Sequence, residues 1–245
     1  MYIMTTPAVE RLVRSAQELL WERGYVGTSP KALLERAGVG QGSMYHHFAG
    51  KAELAAIAIE RSAVELREAS DALLSGQGSP MARLRRYLLA IREVLRGCRI
   101  GRLAYDPGVV ADQTLRAPVN DTFDWLLRRI GEVVAEAQRA GELPTTLDVR
   151  ATAATITAVV QGGYVMARAT GSSKAFTDAI DGLVSLLEES AHAVKRKLAG
   201  RSSHVVRTGA EREPASSDGP TNPRRHLDPP QHAARAKSPL AHLAE

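Results

Sequence analysis

At 245 residues the chain has room for one or two domains with a sizeable core, and 44% apolar against 24% charged residues is the balance of an ordinary soluble globular protein. A lone cysteine, Cys98, excludes an intramolecular disulfide and fits a reducing, cytoplasmic location. The formal net charge of +5 invites a nucleic-acid reading, yet residues 1–60 hold six basic and six acidic side chains, so DNA binding there has to rest on motifs.

The first residues, Met1 to Thr6, have neither a basic region nor a long apolar stretch and do not read as a signal peptide. Thr6 and Pro7 suit the cap and first residue of a helix, in which Val9, Leu12, Val13, Ala16, Leu19 and Leu20 form one apolar stripe before Gly24. A second helix starts at Ser29-Pro30, turns Leu33, Leu34 and Ala37 inward and stops at Gly38. After the turn Gly38-Val39-Gly40, the spacing predicts a short helix over 41–47, anchored by Met44 and Phe48. Two helices joined by a short glycine-containing turn make a helix-turn-helix. The second is too short to be stable alone and leaves Gln41, Ser43, His46 and His47 facing outward, which suits it to a groove better than to a core.

A longer helix follows over 51–74, and Gly76 to Pro80 breaks and restarts the chain. Further helices are predicted at about 80–96, 98–105, 112–140, 148–170 and 174–199, and no segment alternates with period two. The fold class is therefore all-α. Residues 151–167 are free of charge but carry Gln161, two glycines and three threonines, so no membrane span is expected. From residue 200 onward six of the twelve prolines occur and Phe, Trp, Tyr and Met are missing, the composition of a disordered tail.

Patterns that would signal chemistry fall short. Gly38, Gly40 and Gly42 lack dinucleotide-loop spacing and follow no strand. Glu189 and His192 form half of a helical di-iron motif with no second half. Cys98 has no histidine at metal spacing and reads as a core residue or pocket wall. No nucleophile elbow, phosphate loop or zinc-protease motif occurs, so the reading is no enzyme, no metal and no cofactor.

Trp21-Glu22-Arg23-Gly24-Tyr25, Thr28-Ser29, then Ala37 through Phe48, then Lys51 with Glu53-Leu54, resembles the DNA-binding domain of the TetR (tetracycline-repressor) family over about 50 gapless residues. Gly97 through Gly101 is similar to the LmrA/YxaF-like branch. The resemblance implies a three-helix helix-turn-helix domain at 1–50, a helical ligand-binding and dimerisation domain at 51–199 and a tail at 200–245. It also implies a homodimeric, ligand-responsive repressor that binds a palindromic operator and is released by a small-molecule effector. The competing reading is an all-α enzyme or small-molecule binding protein with a degenerate helix-turn-helix.

On this reading Gln41 contacts adenine, Ser43 reaches either base type, and Gly42 allows close backbone approach. Tyr45 and His46 donate to phosphate or touch a thymine methyl, while His47 joins them or packs locally on Phe48. Lys51 pairs with a phosphate at a helix N-terminus, and Ser29 and Lys31 hold phosphates across the groove. An effector is expected among Leu84, Tyr87, Leu88, Ile91, Leu103, Phe123, Trp125, Leu126, Gln161 and Tyr164, residues that would also make an ordinary core. The dimer is expected to form through Ala158, Gly162, Phe176, Ile180, Leu183, Val184 and Leu187, unless that stripe faces the chain's own core.

Overall fold

Four helices begin with one device. Thr6-Pro7, Ser29-Pro30, Ser79-Pro80 and Asp106-Pro107 each pair a side chain that accepts a backbone N–H with a proline whose missing N–H would have gone unpaired. The computed structural model describes residues 6–208, and every regular element among them is helical. In chain order these are α1 (Pro7–Arg23), α2 (Pro30–Ala37), α3 (Gln41–His47), α4 (Lys51–Ser75), α5 (Pro80–Leu88), α6 (Pro107–Ala111), α7 (Gln113–Arg139), α8 (Val149–Thr170) and α9 (Lys174–Thr208). Two 3-10 turns, Val94–Arg96 and Gly101–Tyr105, lie between α5 and α6.

Two apolar clusters hold these elements together. The first joins the inner faces of α1, α2 and α3 to the first half of α4, through Leu12, Leu19, Leu33, Met44, Leu54 and Ile59. It then continues without a break into Ile100, Leu103, Val109, Leu115 and Val119. The core therefore does not part at residue 50: α4, 25 residues and so roughly 38 Å long, supplies both sides. The second cluster packs α5, α7, α8 and α9 around Leu84, Leu126, Ile130, Ile156 and Phe176, and Phe123 and Tyr164 touch both.

Three boundaries depart from the sequence-based expectation. The helix expected over 80–96 ends at Leu88, where the Arg92 guanidinium takes the carbonyls of Tyr87, Leu88 and Ala90 and so caps the helix from beyond its end. Residues 106–111, left between the helices expected at 98–105 and 112–140, instead form α6 and its cap, with the Asp106 carboxylate accepting from the N–H groups of Gly108 and Val109. The last helix passes residue 199 and reaches Thr208, because one interior glycine, Gly200, costs a helix only about 1 kcal/mol and the next proline is Pro214. The tail predicted from residue 200 is thus helical to residue 208, and its remainder lies outside the described residues. No described helix is long and apolar enough to cross a membrane.

Candidate functional site

The helix-turn-helix is held from behind. Gly38 takes a left-handed conformation (φ 60°) that closes α2, and Met44, fully buried, pins α3 against the first cluster. Arg11 Nε donates to the Ala37 carbonyl at 3.1 Å, and the Glu53 carboxylate accepts from Ala49 N–H at 2.6 Å, fixing both ends of the motif. What remains outside is polar. Gln41, Gly42 and His46 are exposed, Tyr45 is 51% exposed, and Ser43 is half-buried. A Cβ at Gly42 would meet nothing within 4 Å, so the chain itself does not require glycine there. His47 sits half-buried with its ring 6.5 Å from that of Phe48, and packs locally. Ser29 caps α2 through Ala32 N–H, and Lys31 is exposed beside Glu35 at 3.8 Å. Lys51 lies half-buried with its ammonium 4.0 Å from the centre of the Tyr25 ring. Burial pushes the Lys51 pKa down, with Asp106 opposing.

Beneath the motif, α1 and the loop that follows it are bolted to residues 96–109 at two places. At the first, Trp21 Nε1 donates to the Gly97 carbonyl at 2.9 Å, and the guanidinium groups of Arg96 and Arg99 lie 3.4 and 3.9 Å from its ring. Both arginines also pair with Glu18, at 2.7 and 2.9 Å. Burial tends to raise the Glu18 pKa, but the two arginines outweigh it and hold the carboxyl below its ordinary range. At the second, the Asp106 carboxylate accepts from Val26 N–H at 3.1 Å as well as from its own helix. Space there is minimal, since a Cβ at Gly24 would lie 2.5 Å from the Asp106 carboxylate and one at Gly108 would lie 2.7 Å from the Tyr25 ring.

A cavity of about 360 Å³ opens between the two bolts and α8, lined by Gly24, Cys98, Arg102, Asp106, Gln161 and Tyr164 among others. Cys98 is buried at its wall, its Sγ accepting from Gly101 N–H at 3.2 Å. Burial pushes the Tyr164 phenol pKa well up, which keeps it neutral and a hydrogen-bond donor. Among the described residues no cluster of His, Cys, Asp and Glu is arranged to hold a metal ion.

Residues 12–57 match the family model described as bacterial regulatory proteins, tetR family, and residues 80–183 match the tetracyclin repressor-like C-terminal domain. The chain is also 32% identical over 148 residues to the transcriptional regulator AcuR of Cereibacter sphaeroides, covering 58% of this chain and 67% of that one. The chain belongs to the TetR family. It is 28% identical over 141 residues to the HTH-type transcriptional repressor DhaR of a Mycobacterium species, covering 56% of this chain and 71% of DhaR. A solved structure, the regulatory protein TetR from Rhodobacter sphaeroides, superposes with a TM-score of 0.64 at 28% identity, over 76% of this chain and 99% of that one. The protein is thus a DNA-binding transcriptional regulator of TetR type rather than an enzyme.

In this TetR-family chain the residues expected around an effector disperse. Gln161 and Tyr164 line the junction cavity. Leu84 and Leu88 line a second cavity of about 430 Å³ between α5 and α9. Tyr87, Leu103 and Leu126 are core, Phe123 and Trp125 pack against it, and Ile91 is fully exposed because α5 ends before it. The residues expected at the dimer divide between two faces. Phe176, Ile180, Leu183, Val184 and Leu187 all turn into the chain's own second cluster. Ala158 and Gly162, from the same expected set, do lie on the outward surface of α8 and α9, beside Met166, Gly182 and Leu186, with Met166 and Leu186 45% and 64% exposed; Leu183 also lines the groove there. Sequence reasoning missed Arg102 and Arg168 at the junction cavity; the three-residue spacing of Arg96, Arg99 and Arg102 hints at a shared basic face, and nothing in the sequence marks Arg168.

Proposed function

We propose that this protein is a homodimeric, ligand-responsive repressor that binds an imperfect palindrome and leaves it when a small molecule occupies the junction cavity. The observation that carries the DNA-reading half is α3, a polar face with few internal partners on a helix anchored from behind by Met44 and Phe48. Gln41, Gly42 and Ser43 face the base edges, with Tyr45 and His46 beside them. Ser29, Lys31 and Lys51 hold the flanking phosphates, with His47 serving as a spacer. Residues 1–50 form the reading unit and residues 51–199 the effector and dimerisation unit, in a cytoplasmic protein.

The dimer forms through the outward faces of α8 and α9, where a shallow groove is lined by Thr155, Val159, Gly162, Met166, Gly182 and Leu186. Two-fold symmetry then sets the reading helices into successive major grooves about 34–36 Å apart. Coupling runs through the two bolts on α1 and the loop that follows it. A molecule between them changes the spacing of Trp21 from Gly97 and of Val26 from Asp106, and α1 carries α3 with it. The effect on DNA affinity is a coupling free energy, typically about 1–3 kcal/mol, and it is reciprocal.

Footprinting on the DNA upstream of the protein's own gene, with sedimentation of the free protein, tests the reading. Protection of two related half-sites by a dimer is expected. An asymmetric single footprint, or a monomer at micromolar concentration, overturns it.

A further inference from the structure

The junction cavity is lined by four arginines, Arg23, Arg96, Arg102 and Arg168, against one acid, Asp106. Their surroundings separate them. Arg96 is already neutralised by Glu18 and Glu93 and lies over Trp21. Asp106 is fully engaged by the N–H groups of Val26, Gly108 and Val109. Arg23 is exposed at the rim, where solvent and salt screen it. Arg168 is exposed too and donates one bond, to the Arg96 carbonyl at 3.1 Å. Arg102 is half-buried, and its guanidinium has no ion pair or hydrogen bond among the described residues. Burial first, and then the positive charge of Arg168, push the Arg102 pKa down, while Asp106 opposes. Two guanidinium groups thus face one cavity with no free anion between them. Beside them the Gln161 amide and the Tyr164 hydroxyl also lack partners among the described residues, and Tyr164 and Val165 supply apolar wall.

We infer that this cavity takes a small organic monocarboxylate, its head held by Arg102 with Arg168 and its apolar body lying against Tyr164 and Val165. A planar guanidinium offers two parallel donors to a carboxylate, and such charge-assisted pairs are about twice as strong as neutral hydrogen bonds. Among the cavity's arginines Arg102 is the half-buried one without an ionic partner, a place for one carboxylate, and the apolar wall of Tyr164 and Val165 meets an organic body that inorganic phosphate lacks. The inference rests on the reading of this cavity as the effector site and specifies the chemistry that the site selects.

Calorimetric titration of the full chain tests it with butyrate, hexanoate and benzoate, each against its uncharged amide, and with inorganic phosphate. At least one carboxylate should bind about ten-fold or more tighter than its amide, the ratio that about 1.4 kcal/mol supplies. Arg102→Gln should erase that preference and Arg102→Lys should keep part of it. Equal affinity of acid and amide, phosphate binding as tightly as any carboxylate, or no binding of the three acids at millimolar concentration overturns the inference. The acid–amide comparison on the unmodified chain stands even if a variant fails to fold. Release of the upstream DNA is followed in parallel. A carboxylate that binds through Arg102 without moving DNA affinity supports the inference and sinks the effector reading. A neutral compound that releases DNA while every acid is silent does the reverse.

Discussion

The reading helix and the junction beneath it are built by opposite rules. On α3 the outward groups have few partners within the chain, and the only deep anchor is Met44. At the two bolts that flank the junction cavity the polar groups are engaged: the Trp21 indole by Gly97, both Asp106 oxygens by backbone N–H groups, and Glu18 by two arginines. A surface meant for another molecule gains by leaving donors and acceptors open, since partners inside the chain would have to be broken first. A surface that transmits a displacement gains by leaving none, because slack would absorb the motion. Removing a side chain should therefore cost stability at one place and recognition at the other.

The widest separation is expected between Asp106 and Gln41. Asp106→Ala orphans the N–H groups of Val26 and Gly108 and leaves Val109 N–H only its bond to the carbonyl of residue 106, and should lower unfolding stability by roughly 2–4 kcal/mol in urea titrations. Gln41→Ala should stay within about 0.5 kcal/mol of the parent while changing base preference at one operator position. Comparable stability losses in the two variants would break the contrast. Next, Trp21→Phe keeps the ring but loses the bond to Gly97, for an expected loss of about 1–2 kcal/mol. Its second signature is a weaker response of DNA affinity to whatever effector binds, read by anisotropy; a stable variant with full response would show that this bolt carries no signal.

Lys51 tests the boundary between the two rules, because its ammonium is partly spent on Tyr25. Lys51→Ala should weaken binding to all sequences alike and reduce the slope of log affinity against log salt by about one. An unchanged slope would place Lys51 with the junction rather than the interface. The smallest effect concerns acid. Because its arginine partners hold the Glu18 carboxyl below its ordinary value of 4.5, that pairing contributes fully above 4.5 and is lost as the pH falls through the lower folded value. Glu18→Gln should flatten the acid limb of the stability curve, and an identical limb in both proteins would count against the pairing.

Helix starts and the reading motif were legible in the sequence because they are local. A cap, a proline and a stop glycine act within four residues, and the 41–47 helix with its exposed side chains emerges where its spacing predicts. What was not legible depends on which neighbour arrives. The end of α5 is set by Arg92 folding back on three carbonyls, and nothing in the apolar period foretells that. An apolar stripe at 176–187 states that one face of α9 is covered, not by what, and the chain's own α8 claims it: Phe176 fills the space that Gly163 leaves, where a Cβ would lie 2.8 Å from its ring. Arginines at 96, 99 and 102 look alike in sequence, yet two are paired and one is not, because Glu18 comes from a helix more than seventy residues earlier.

Gly162 and Gly182 differ from Gly163 in having nothing within 4 Å of an added Cβ, although each lies inside a helix. For the separated chain they are a burden of up to about 1 kcal/mol apiece relative to alanine. A methyl group at either position should raise the melting temperature of a monomer and obstruct the approach of a second copy. With the proposed dimer formed through this face, thermostability and assembly pull in opposite directions at these two sites. On that proposal, a screen that rewards heat resistance in isolated chains would collect substitutions that obstruct the dimer, and a screen scored on DNA binding would discard them.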